Sequence, residues 1–250
     1  MNENRKREIN KLVREKFAAA NLDYDSTAQR VVPLFEIITS HDLYVEQLPR
    51  DKDLNKNKLT AKRAVDFIKQ EMGLQVNNHL TQTNELSGYI YATYSRGILL
   101  GCIFTDTNEI STRRRFSAAH ELGHYLLHFL PRVADKTRSD DDDGFSIFTE
   151  GVSFADKKNT EAKDTAEIKI VSGYEESETI DVNRDEMEKE ANFFAAELLM
   201  PRNACLELAK TYAEKFGASK TVIVRRLASE FLVSFEAMLR RLKDLGFYEG

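Results

Sequence analysis

Residues 113–128, Arg-Arg-Arg-Phe-Ser-Ala-Ala-His-Glu-Leu-Gly-His-Tyr-Leu-Leu-His, constrain the chain more than any other stretch. Phe116, Ala119, Leu122, Gly123, Leu126 and Leu127 recur at helical spacing and Pro131 supplies a stop, so the segment predicts a helix with one apolar side. Set into that helix is His120-Glu121-x-x-His124. Residues four apart lie one turn apart on the same face, so both imidazoles reach a single ion. Zinc suits the pair because it accepts neutral imidazole nitrogen and tolerates a tetrahedral shell with one open position. Glu121 stands one step round the helix, where a carboxylate can take a proton from an attacking water. The plain alternative is a buried helix with two incidental histidines, and the helical context of the motif weighs against it.

Composition bounds the setting. The chain has 250 residues, 42% apolar and 31% charged, which describes a globular protein with a real core. No apolar run approaches the roughly 20 residues needed to cross a bilayer. Met1 to Phe17 is charged and helical in pattern, without the apolar centre of a secretory leader. Cys102 and Cys205 are too few for a disulfide framework, and a reduced cytoplasm is the expected home. Residues 132–187 hold 16 acidic and 8 basic side chains, so the rest of a chain of net charge −5 carries about +3. That excess is too mild to argue for nucleic acid.

Along the chain, Ile9, Leu12, Val13 and Phe17 predict an amphipathic helix over 4–20. Ser26 is a candidate cap for a second helix reaching Ser40, with Pro33 inside it. Leu43–Leu48 reads as a short strand, 49–57 as a polar loop, and 58–72 as a helix ending before Gly73. Tyr89–Tyr94 and Ile98–Phe104 predict a hairpin turning at Ser95-Arg96-Gly97. Beside a metal helix, an exposed strand of this kind can pair with an extended substrate backbone; an ordinary core hairpin is the equal alternative. Asp140–Asp143 open a solvated acidic insertion with weak strands near Phe145–Phe154 and Glu167–Val171. An adaptor surface for a basic partner is the sharper reading. Calcium is disfavoured, because no Asp-x-Asp-x-Asp-Gly loop with a closing Glu is present.

Two histidines leave a catalytic zinc one protein ligand short. The His-x-x-Gly-x-x-His extension fails, since Leu127 and Leu130 occupy the required positions, so a carboxylate from another helix is expected. Residues 185–200 predict that helix, closed by Pro201, and offer Glu186, Glu188 and Glu190. Glu188 is preferred because Asn192 falls four residues later on the same face, where it can fix the tautomer of a zinc-bound histidine. Glu190 lies about 200° round the helix from Glu188, so the two cannot share one site. Some of these glutamates also suit the positive end of the helix dipole. His128 is a candidate substrate contact, although a surface histidine is the commoner reading.

The segments 114–128 and Glu-x-x-Ala-Asn-x-Phe-Ala-Ala-Glu-Leu-Leu-Met-Pro (188–201) together resemble the ImmA/IrrE family of bacterial metallopeptidases. The resemblance spans roughly 80–245. It implies an α+β fold: a mostly helical, minimal thermolysin-like zincin core with a small sheet or hairpin beside the metal helix, and a helical tail. It also implies Zn²⁺ on His120, His124 and Glu188, and a helix-turn-helix repressor as protein substrate. The 63 residues between His124 and Glu188 form a longer gap than the family pattern leads one to expect.

The expected organisation is an N-terminal helical region (1–75), a catalytic core (76–202) with the insertion at about 132–184, and a helical C-terminal region (203–250). That last region predicts helices at Ala204–Lys215, Lys220–Phe231 and Ser234–Leu245. The final two read as a helix-turn-helix pair, but 8 basic against 6 acidic residues over the whole of 203–250 is weak for a phosphate-binding face. Direct DNA binding is therefore disfavoured, with Arg240 and Arg241 as its test residues. In the enzymatic reading Glu121 is the general base, and Tyr89, Tyr91 or His128 supplies the second oxyanion contact. The rival is a non-proteolytic regulator that sequesters a DNA-binding partner around a structural zinc. An intact Glu121 argues against it, since a structural site has no use for a base.

Overall fold

Ile9, Val13 and Phe17 stand four residues apart and are the buried positions of the first helix, α1 (Glu3–Ala19). The helix begins where the Asn2 side chain accepts the Arg5 amide at 2.8 Å, which satisfies one of the donors left open at any helix start. A computed structural model describes residues 1–28, 30–48, 59–73, 86–95, 98–131, 145–150, 170–172 and 184–248. The second helix is shorter than expected. It runs only from Leu34 to Thr39 (α2), and Ser26 caps a local turn by accepting from the Ala28 amide at 3.1 Å. Proline disfavours helical geometry in the residue before it, so the helix begins directly after Pro33.

The strand at Leu43–Leu48 (β1) and the helix at Ala61–Glu71 (α3) form where their periodicities place them. The hairpin is β2 (Gly88–Ser95) and β3 (Ile98–Asp106), paired antiparallel from Gly88↔Thr105 to Ser95↔Ile98. Its Arg96-Gly97 turn, the 49–57 loop and Asp140–Asp143 lie outside the described residues. Two strands arise from the acidic stretch, β4 (Phe145–Glu150) and β5 (Ile170–Ser172). Among the described residues the sheet has five strands in the order β1-β3-β2-β4-β5, with β1 parallel to β3 and the other pairs antiparallel. This corrects the exposed-strand reading of β2. Its second edge is taken by β4, from Tyr89↔Glu150 to Tyr94↔Phe145, so an extended peptide adds to β2 only where β4 has left it.

Alternation along β2 separates two clusters. Ile90 and Ala92 join the large core with Ala118, Ala119 and Leu122 of α4 (Ser111–His124). Tyr89 and Tyr91 join a second cluster with Cys102, Phe104 and the buried side of α3. Cys102 and Cys205 are free, buried thiols whose pKa values burial pushes up to about 12, so neither is poised to react.

The remaining helices are α5 (Arg184–Leu199), α6 (Arg202–Phe216), α7 (Lys220–Phe231) and α8 (Phe235–Asp244). The large core is continuous from α1 through α4 and α5 to α8. A buried polar knot ties its ends together. Arg241 of α8 lies 2.7 Å from Glu197 of α5, both side chains 4% exposed, and the Tyr24 hydroxyl donates to the same Glu197 oxygen at 2.6 Å. The Arg241 Nε–H donates to the Met200 carbonyl at 3.0 Å. Arg241 is thus a packing residue and not a surface contact for DNA, whereas Arg240 is exposed. Arg241→Met leaves the buried Glu197 carboxylate with the Tyr24 hydroxyl but no counter-charge from Arg241, and denaturant unfolding is expected to show a loss of about 3–5 kcal/mol.

Candidate metal centre

The site depends on two helices coming unusually close. At Gly123 of α4 an added Cβ would sit 3.1 Å from Phe194 and 3.2 Å from the Ala191 Cα, so bare backbone faces backbone there. With no side chain between them, α5 lies near enough for a glutamate one turn before Asn192 to reach the α4 histidines. All three of His120, Glu121 and His124 are buried, at 3%, 1% and 2% exposure.

The ligand atoms converge on one point. Nε2 of His120 and Nε2 of His124 are 3.0 Å apart, and the Glu188 carboxylate stands 3.2 Å from the first and 3.3 Å from the second. One ligand atom from each residue lies within 4.8 Å of the others. The His120 contact is to Oε2 and the His124 contact to Oε1, so the carboxylate faces both rings, at separations close to the roughly 3.3 Å between ligands about 2.0 Å from a tetrahedral ion. Glu188 Oε2 is buried and lacks a hydrogen-bond partner although His120 Nε2 is 3.2 Å away, a contact ionic in distance but not directional. Donors of this kind suit a borderline metal that takes imidazole and carboxylate together.

The electrostatics ask for positive charge at the same point. Burial disfavours the Glu188 carboxylate, yet contact with His120 and His124 overrides it and holds the carboxyl well below its usual range. Burial likewise opposes charge on His120, but the Glu188 carboxylate and the charge of Glu121 outweigh it and the pKa rises. A proton or a metal ion satisfies that demand, so metal and protons compete for the imidazoles. Asn192 interacts with His120, while His120 Nδ1 itself has no hydrogen-bond partner.

Glu121 points to the start of β2. A Cβ built on Gly88 would lie 2.9 Å from Glu121 Oε1 and 3.1 Å from the Ser117 Cβ. The absent side chain of Gly88 is therefore the space in which the Glu121 carboxylate lies.

A peptidase family model described as the IrrE N-terminal-like domain matches residues 69–145 and 162–243, more than half of the chain. The chain belongs to the ImmA/IrrE metallopeptidase family. Among curated proteins none matches it. The interruption in the family match, 146–161, falls within the acidic stretch. No described helix is long and apolar enough to cross a membrane.

Three further residues considered for this ImmA/IrrE site are buried. Tyr89 and Tyr91 lie in the second cluster, on the side of β2 opposite Ile90 and Ala92. They are the packing residues of the alternative reading. His128 is not the surface residue that the commoner reading made it. It is buried in a π-helical turn (Tyr125–Phe129) that continues α4, with Nδ1 3.2 Å from His124 Nδ1 and Nε2 3.1 Å from Glu190 Oε2. Burial and the neighbouring His124 push its pKa down to about 4 against the pull of Glu190, so the ring is neutral near pH 7. Glu190 is not among the three residues grouped at the metal position and is ion-paired with Arg5 at 2.7 Å.

Proposed function

We propose that the chain is a zinc endopeptidase that cuts a helix-turn-helix repressor and so relieves repression in the cytoplasm. The observation that carries the zinc reading is the convergence of His120, His124 and Glu188, with one ligand atom of each within 4.8 Å of the others and a buried Glu121 next to His120 in the chain. Zinc held by these three residues would supply a Lewis acid for the scissile carbonyl and the attacking water. His120 and His124 offer Nε2 lone pairs, and Glu188 offers the charge that balances the ion. Glu121 takes the proton from the attacking water and passes it to the leaving amine, and the cavity beside Gly88 keeps its carboxylate in place. The substrate class follows from the resemblance to repressor-cleaving peptidases.

Purified protein incubated with the repressor encoded nearest to it tests both parts. Discrete fragments that disappear with chelator and return with zinc are expected. A stable complex of uncut chains would favour the sequestering regulator instead.

A further inference from the structure

His124 has two ring nitrogens, and each has its own neighbour. Nε2 faces His120 and Glu188 at the metal position. Nδ1 faces the opposite way, 3.2 Å from Nδ1 of His128. Nε2 of His128 is 3.1 Å from Glu190 Oε2, and the same oxygen is 2.7 Å from an Nη atom of Arg5 on α1. These four side chains form an unbroken line from the metal position to the N-terminal helix.

The direction of each hydrogen bond in that line follows from its ends. A histidine that gives its Nε2 lone pair to a metal carries its proton on Nδ1. His124 Nδ1–H must then donate, so His128 Nδ1 accepts and the His128 proton sits on Nε2. That proton meets Glu190, a carboxylate that only accepts, and Arg5 only donates. No link can be reversed without setting two protons or two lone pairs against each other. The turn that carries His128 also departs from α geometry, with the Leu130 amide donating to the Tyr125 carbonyl five residues back, and such departures recur at functional sites.

We propose that His128, Glu190 and Arg5 are positioning residues that fix the tautomer and ring orientation of the metal ligand His124, so that docking of α1 on α5 is part of building the metal site. The inference rests on the reading of His120, His124 and Glu188 as metal ligands. A network that merely filled the space between helices would affect the stability of the metal-free protein and would select no tautomer.

The test uses the full chain loaded with zinc. Nitrogen-15 NMR of the imidazoles is expected to find Nδ1–H on His124 and Nε2–H on His128. His128→Phe keeps a ring but offers no acceptor, and chelator competition is expected to show zinc affinity lowered about 10–100-fold. Arg5→Ala, at a partly exposed side chain, should give a smaller loss in the same direction. Circular dichroism and the metal-free melting curve check that each variant folds, and the tautomers of the unmutated chain decide the matter if His128→Phe does not. A proton on His128 Nδ1 in the zinc-loaded chain overturns the proposal, as does a folded His128→Phe whose affinity stays within about twofold. Unchanged affinity in Arg5→Ala takes α1 out of the line. These results leave the zinc reading standing; a chain that takes up no zinc, or holds it on other residues, ends that reading and this one together.

Discussion

Glu121→Gln is expected to keep its metal and lose its activity. Glutamine has nearly the same size as glutamate and still accepts hydrogen bonds, but it takes up no proton from water. The three ligands are untouched, so metal content should equal that of the unmutated chain. Cleavage of the cognate protein should fall by about 10²–10⁴-fold, the usual contribution of a positioned general base. Cleavage rate and bound zinc, measured on the same preparation, separate loss of the base from loss of the ion. Normal turnover by this variant would remove Glu121 from the mechanism.

Gly88→Ala reaches the same carboxylate from the opposite side. Its new Cβ would stand 2.9 Å from Glu121 Oε1 and 3.3 Å from Cγ, closer than carbon and oxygen tolerate. The end of a glutamate swings more easily than a strand moves, so the carboxylate gives way and the fold survives. A displacement of about 1 Å in a catalytic group costs on the order of 10²-fold in rate. The expected pattern is a fall in kcat of that size, with zinc content close to that of the unmutated chain and only a small change in melting temperature. Full activity would mean that Gly88 does not determine where Glu121 lies.

Much of this site was legible because helices and strands announce themselves by period. The apolar spacing around His120 and His124 fixed a helix, and the three tail helices were readable in the same way. Glu188 was reachable because Asn192 stands one turn beyond it, and both do sit against the histidines. His128 was read as surface because its environment depends on α5, 62 residues away, and on a turn wider than an α-helix. The signal available for it was a third histidine at the same spacing, combined with two glutamates on the partner helix. Glu190 meets Arg5 and His128, and that second target one turn further along α4 was not considered. The face taken by the tyrosines of β2 was left open between an oxyanion contact and packing, and they lie in the second cluster. Alternation alone does not say which face meets the helix, although small Gly88 and Ala92 suit the side crowded by α4. The pairing of β4 with β2 was beyond sequence reading, because strand partners distant in the chain leave no local trace.

Metal analysis of the purified chain beside Glu188→Ala tests the central claim most directly. One zinc per chain is expected for the unmutated protein, and greatly weakened binding for Glu188→Ala, with both proteins folded by circular dichroism. A Glu188→Ala protein that holds zinc as tightly as the unmutated one would contradict the three-ligand site on which the account stands.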